Sequence, residues 1–314
     1  MQQKYIDCFE LFDYAEKIVA LTGAGISTLS GIPDFRGKSG FYTNHTTFEG
    51  YDRDTLMDLK FFVQHPEIFY RFALQYIYPM LEKIPSIGHI TLAELQKRGI
   101  LDVLYTQNID LLHTKAGAKA YELHGRINSH SCMKCGNFYF TNEEIYLKLA
   151  QGKVPHCHCG GLVKPDIVFF NEELDEKLLE QAFHDFETSD IALVIGSSLS
   201  VPPVCTLPMA ARLNHGKIII VNEQPTQYDQ YATYKFNDIA DFCQNIQDYF
   251  FTVDDVQFLN ALVHILIEAL HFFDLFASEI NWHAFCFMCC KITLTRIGFS
   301  YECNTSYIFC RNSG

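Results

Sequence analysis

Cys132 and Cys135 form a C-x2-C pair, and Cys157 and Cys159 form a C-x-C pair, which is the densest chemical signal in the chain. Thiolates at that spacing close a tetrahedral shell around Zn2+ and leave no open position for water, so the expected metal is structural. His156 and His158 flank the second pair and could replace a cysteine, but both cysteines of the C-x-C pair are the simpler ligand set; unligated buried cysteines are the alternative. A second signal is Gly23-Ala24-Gly25-Ile26-Ser27-Thr28, read as a strand end that opens a helix, where backbone N–H groups and the helix dipole could hold a pyrophosphate. Thr28 stands where the usual dinucleotide fingerprint has its third glycine, and no acidic residue ends a second strand about 20 residues on. A standard hydride-transfer dehydrogenase is therefore disfavoured, and a turn that merely needs glycine stays open. His124, followed by Gly125, can exchange a proton near neutrality, although a lone histidine is more often a satisfied structural group. Asn108 and Asp110 supply an amide and a carboxylate that could pair with a ligand carboxamide or cap the helix expected over 109–115.

These residues need elements to hold them. Apolar positions Cys8, Leu11, Phe12 and Ala15 recur at helical spacing ahead of the apolar run Ile18–Leu21. Similar short runs at Leu101–Tyr105, Ile191–Ile195 and Lys217–Val221 alternate with helical patterns such as 90–98 and 176–186. The alternation predicts an α/β fold, a Rossmann-like doubly wound parallel sheet with a smaller zinc-binding and helical lobe. Ligands sit at the carboxyl ends of such strands, and here those ends read TGAGIS, TQNID, GSSLS and VNE. The expected organisation is a discontinuous nucleotide-binding domain over 1–36, 86–125 and 165–250, a loop and helical insertion over 37–85, and a zinc module over 126–164 with one helix around 142–150. Residues 251–314 form a C-terminal extension of a different character: FLNALVHILIEALHFFDLF is an amphipathic helix candidate, and Cys286, Cys289, Cys290, Cys303 and Cys310 follow it.

Composition narrows the function classes. The chain has 314 residues, 48% of them hydrophobic, and a formal charge of -13, which repels polyphosphate backbones and makes nucleic acid a poor partner. No apolar run reaches the ~18 to 20 residues of a membrane helix. The chain holds twelve cysteines, but its start mixes acidic and apolar residues and lacks a signal-peptide pattern, so a reducing, cytoplasmic setting is expected.

Taken together, GAGISTLSGIPDFRG (23–37), TQNIDLLHTKAG (106–117), ELHG (122–125), the cysteine pairs, KPDIVFFNE (164–172), GSSL (196–199) and VNE (221–223) resemble the sirtuin family, in its order and spacing, from about residue 8 to about residue 250. HPEIFYRFALQYIYPM and the C-x-C pair are similar to the bacterial and archaeal unclassified-type members. The resemblance implies an NAD-dependent protein lysine deacylase that consumes NAD as a co-substrate and gives nicotinamide, free lysine and 2′-O-acyl-ADP-ribose. It implies His124 as general base, and Asn108 and Asp110 as the groups that orient the ribose and hold the nicotinamide carboxamide. It implies NAD contacts from Gly23, Ala24, Gly25, Thr28, Asp34, Phe35, Arg36, Gln107, Ile109, Gly196, Ser197, Ser198, Asn222, Glu223, Asp238 and Ile239. Phe35 would shield the reactive ribose carbon, and Arg36 would meet phosphate or pair with Asp34. Ser197 and Ser198 could instead cap a helix.

The partners so implied are acetylated-lysine proteins or peptides, entering as an extended strand between Val168–Phe169 and the loop 200–202 by backbone pairing. Two departures stand out. Asn171 replaces the family's usual glycine, and Ala73 and Tyr76 stand where members that take anionic acyl groups carry Tyr and Arg. With no cation there, acetyl or a longer apolar acyl group is expected. Mono-ADP-ribosyl transfer from the same NAD site and a non-catalytic NAD-sensing module are the competing readings.

Overall fold

Apolar runs bounded by glycine or polar residues form the strands of a large sheet. In the computed structural model the description covers residues 1–34, 47–141, 145, 148–149 and 151–251. Its strands are β1 (Ile18–Thr22), β2 (Val103–Thr106), β3 (Ala120–Glu122), β4 (Gly125–Cys132), β5 (Phe138–Phe140), β6 (Val163–Ile167), β7 (Ile191–Ile195), β8 (Lys217–Val221) and β9 (Tyr234–Phe236). Six of them make one sheet in the order β3-β2-β1-β7-β8-β9, with every neighbouring pair parallel. All five residues of β1 and of β7 are buried, as central parallel strands covered on both faces require. The chain leaves β1 toward β2 on one side and is met by β7 on the other, so the order reverses at β1, and a crevice opens beyond its carboxyl end.

The helices are α1 (Gln3–Tyr14), α2 (Arg53–Leu56), α3 (Leu59–Gln64), α4 (Pro66–Tyr76), α5 (Ile87–Lys97), α6 (Leu112–Lys115), α7 (Glu176–Glu187), α8 (Leu207–Leu213) and α9 (Ile239–Phe250). On one face of the sheet α7 buries Ala182 and Phe186 with Val194, Ile218 and Ile220. Asp175 caps its first turn, accepting from the Leu178 N–H. Aromatic contacts tie α1 to α9 and β9, with Tyr5 stacked 4.6 Å from Phe236 and Phe9 5.5 Å from Phe242.

β5, β4 and β6 form a separate antiparallel sheet. It takes in Gly125 and runs to Ile167. One apolar cluster joins α2 to α4 with this sheet: Leu56, Phe62, Phe69 and Tyr70 pack with Ile127, Ile167 and Phe169. The Tyr70 hydroxyl donates to the Val163 carbonyl at 2.6 Å, which satisfies the polar tip of a buried ring.

Some local expectations change. The turn after β1 forms a seven-residue 3-10 helix, Ala24–Ser30, closed by Gly31 in the left-handed region, and not a regular α-helix. β9, at the sheet edge, is an addition to the strands read from the sequence. Only Ile145, Lys148 and Leu149 of the helix expected over 142–150 are described. The extension's candidate helix and its five cysteines lie outside the described residues. Among the described residues, no helix is long and apolar enough to cross a membrane.

Candidate active site

A cleft of about 1510 Å³ lies where β1, β2, β7 and β8 end. It is lined by Gly23, Ala24, Gly25, Thr28, Asp34, Gln107, Asn108, Ile109, Asp110, His124, Val168, Phe169, Gly196, Ser197, Ser198, Asn222, Glu223, Asp238 and Ile239. The NAD- and peptide-site residues expected from the sequence and described in the structure therefore line one cleft. Phe35 and Arg36 lie outside the described residues.

The cleft floor is two glycine turns in contact. Gly196 has φ +66°, and a Cβ there would stand 2.3 Å from the Ile26 nitrogen, so only glycine lets the turns after β1 and β7 approach. The approach uses amides that the sequence reading assigned to phosphate: Gly23 N–H donates to Ile195 and Gly25 N–H to Gly196. This corrects that expectation, because those donors bind the neighbouring strand end. Ala24, at the first position of the 3-10 helix, has no intrahelical acceptor for its N–H. The Thr28 hydroxyl likewise turns inward, to the Gly25 carbonyl at 2.9 Å.

Gln107 joins two strand ends, its side-chain amide donating to the Ser197 hydroxyl at 3.0 Å, while the Gln107 carbonyl lies 3.0 Å from His124 Nδ1. A carbonyl only accepts, so Nδ1 carries the hydrogen and Nε2 keeps its lone pair. Burial pushes the His124 pKa down, and the Gln107 contact opposes it. The imidazole is thus held neutral at neutral pH, in the form a base requires.

Asn108 and Asp110 share Ser27. Asn108 Nδ2 donates to the Gly23 carbonyl and to Ser27 Oγ, both at 3.1 Å, and Ser27 donates to Asp110 Oδ2 at 2.7 Å. The other Asp110 oxygen accepts from the Leu112 N–H at 2.9 Å, so the helix-capping reading holds alongside the ligand reading. A carboxylate accepts about four hydrogen bonds, which leaves Asp110 capacity for a ligand amide. Burial raises its pKa, opposed by the Leu112 and Ser27 bonds. Behind Ser27, His89 accepts the Ser86 N–H on Nδ1 at 3.1 Å and directs Nε2 toward Ser27 at 3.4 Å. On the far side, Asp238 caps α9 through the Asp241 N–H, and Asn222 holds the Gln224 carbonyl at 2.8 Å.

At the edge where a peptide is expected from the sequence, Val168 N–H donates to the His124 carbonyl at 2.8 Å, and Phe169 N–H to Glu172 Oε2 at 2.9 Å. Both amides are already paired, so among the described residues the Val168 carbonyl is the group at this edge that receives no backbone amide. Asn171, where the sequence resemblance has glycine, is in the left-handed region at φ +63°, and its amide donates to Asp58. Phe72, Tyr76, Ile77 and Met80 make an apolar wall in the cleft. Arg53 also lines it, with its guanidinium 5.7 Å from the centre of the Tyr76 ring. The sequence reading missed Arg53, because its position over α4 depends on a contact 23 residues away in the chain.

In the smaller lobe, Cys132, Cys135, Cys157 and Cys159 gather with all four Sγ atoms within 4.8 Å. Three of the separations are 3.4 to 3.6 Å. Four sulfurs about 2.3 Å from a central Zn2+ would stand ~3.8 Å apart at the tetrahedral edges, so the donor set fits zinc. His156 turns to the Val154 carbonyl and is not among the gathered donors.

The sheet, its switch-point cleft and the four-thiol module define a Rossmann-like nucleotide-binding protein with a structural metal lobe. Residues 23–203 match the model of the Sir2 family. A curated NAD-dependent protein deacetylase of Thermotoga maritima is 40% identical over 248 residues, 78% of this chain and 98% of its own length. A solved Sir2 structure with a p53 peptide and NAD+ superposes with a TM-score of 0.71 at 39% identity, covering 79% of this chain and 98% of that one. Another, with an inhibitor, 2′-O-acetyl-ADP-ribose and a deacetylated p53 peptide, gives 0.69 at 38% identity, covering 78% and 98%. The chain belongs to the Sir2 family.

Proposed function

We propose that the cleft carries out NAD-dependent deacetylation of lysine side chains in proteins, yielding nicotinamide, 2′-O-acetyl-ADP-ribose and free lysine. The observation that carries this reading is the convergence of His124, Asn108 and Asp110 on one cleft in a Sir2 chain. In it, Asp110 and Asn108 bind the carboxamide and ribose of NAD, and the Ala24 amide of the turn after β1 meets the diphosphate with Ser197 and Ser198. Asn222, Glu223, Asp238 and Ile239 take the adenosine end. Cleaving the nicotinamide bond builds positive charge on the ribose, so what the protein supplies is position, exclusion of water and a base. Neutral His124, with Nε2 free to accept, takes the proton from a ribose hydroxyl and readies it for the acyl carbon. Phe35 and Arg36 are assigned shielding and phosphate roles by family pattern. The peptide lies along Val168 and Phe169 and uses the Val168 carbonyl.

Zinc, held by the four cysteines, supplies cohesion to the smaller lobe and no chemistry at the cleft. The seven described cysteines are all unpaired thiols, which supports a reducing compartment such as the cytoplasm. The division into a nucleotide-binding domain over 1–36, 86–125 and 165–250, a helical insertion and a zinc module is likewise an assignment by role.

The apolar wall of Phe72, Tyr76, Ile77 and Met80 favours acetyl or a longer apolar acyl group. Among the described residues that line the cleft, Arg53 is the Arg or Lys present, and its contact with the Tyr76 face is worth roughly 0.5 to 2 kcal/mol that an acyl carboxylate would have to replace. Incubation with NAD and matched acetyl-lysine and succinyl-lysine peptides, read by mass spectrometry, tests both points. Equal yields of nicotinamide and O-acetyl-ADP-ribose, with deacetylation the faster, are expected. NAD cleavage without deacetylation would favour ADP-ribosyl transfer, and faster desuccinylation would overturn the acyl assignment.

A further inference from the structure

Lys164 is 8% exposed, an unusual position for an ammonium group, and it is surrounded by acceptors. Its Nζ donates to the Ile167 carbonyl at 2.8 Å and the Pro165 carbonyl at 3.0 Å, pairs with Glu172 Oε2 at 3.1 Å and lies 4.8 Å from the centre of the Phe169 ring. The same Glu172 oxygen accepts the Phe169 N–H. The peptide plane between Ile167 and Val168 is therefore gripped twice: its carbonyl by Lys164, its N–H by the His124 carbonyl at 2.8 Å. A close approach makes this possible. Gly125, at φ +76°, would place a Cβ 2.0 Å from the Asp166 carbonyl oxygen, so β4 and β6 meet here only because the residue after His124 has no side chain.

We infer that Lys164 is a positioning residue, its buried ammonium fixing in one geometry both the Val168–Phe169 edge that receives the acyl-lysine peptide and the backbone of His124. The inference rests on the deacetylase reading and adds a determinant to it. A neutral side chain at 164 would leave the Ile167 carbonyl and the Glu172 carboxylate without their buried partner, and the peptide plane would lose its register. The NAD floor, built from the ends of β1, β7 and β8, shares none of these bonds.

The test compares wild type with K164M, K164R and E172Q, using an acetyl-lysine peptide and NAD, with zinc content and thermal unfolding as controls on folding. For K164M the expected result is a peptide KM about tenfold higher, while the Kd for NAD alone, measured by calorimetry, stays within about threefold. K164R should bring the peptide KM back to within about threefold of wild type, because a guanidinium can still donate to both carbonyls. A folded K164M with an unchanged peptide KM overturns the inference, as does an equal weakening of peptide and NAD. If K164M does not fold, E172Q decides: its amide oxygen can still accept from Phe169, and only the charge facing Lys164 is lost. A peptide KM raised about threefold supports the role, and an unchanged one overturns it. Wild-type protein that releases no nicotinamide would instead sink the deacetylase reading, a separate outcome.

Discussion

His124 gives its Nδ1 hydrogen to the main-chain carbonyl of Gln107, 3.0 Å away, and Gln107 in turn gives its side-chain amide to Ser197 at the end of β7, two strands across the sheet. The tautomer of His124 is thus set by the backbone of the loop that carries Asn108 and Asp110.

A pH dependence follows from this arrangement. Burial disfavours the imidazolium, so the His124 pKa lies below its ordinary value of about 6.5, and the active neutral form persists into mildly acidic solution. The acid limb of kcat/KM should fall below pH ~6.5, with activity lost as pH drops through the lowered value. His124→Ala should reduce kcat by roughly 10² to 10⁴ and abolish that limb. A limb centred above pH 7 would count against His124 as the group being titrated.

Metal removal should act on stability before chemistry. Cys132→Ser opens the four-thiol shell, and β4, which carries Cys132 at one end, begins next to His124 at the other. Loss of zinc, measured by atomic absorption, should accompany a fall in Tm of roughly 10 °C or more, with activity lost in parallel. Full activity and an unchanged Tm in a sample verified as metal-free would contradict a structural role.

Asn171 separates backbone strain from side-chain bonding. At φ +63° an alanine bears the left-handed cost without the amide bond to Asp58, whereas glycine is free of that cost. Asn171→Ala should therefore be less stable than Asn171→Gly by about 1 kcal/mol in denaturant titration. The reverse order would show that the loop does not hold this conformation in solution.

Much of this was legible in the chain. Ile18–Thr22, Ile191–Ile195 and Lys217–Val221 read as strands because central parallel strands are apolar on both faces, and their polar tails marked the cleft. The four cysteines were legible from spacing alone. What stayed hidden depends on approach between distant segments. That the Gly23 and Gly25 amides bind Ile195 and Gly196, and not a ligand, is decided by how closely two turns pack. The weight of Lys164 was equally invisible: KPDIVFFNE gives no local signal for it, and only the fold surrounds it with three carbonyl or carboxylate oxygens. β9 is three residues long, too short for its alternation to stand out from a loop.

Phe169, on the proposed peptide edge, also belongs to the interior of the smaller lobe, with its ring 5.1 Å from that of Phe62 and 4.9 Å from that of Phe69. If the proposed peptide edge is right, no border separates the part of this lobe that folds from the part that recognises, and a substitution in α3 or α4 that shifts the Phe62 or Phe69 ring also shifts the residue against which the peptide would lie.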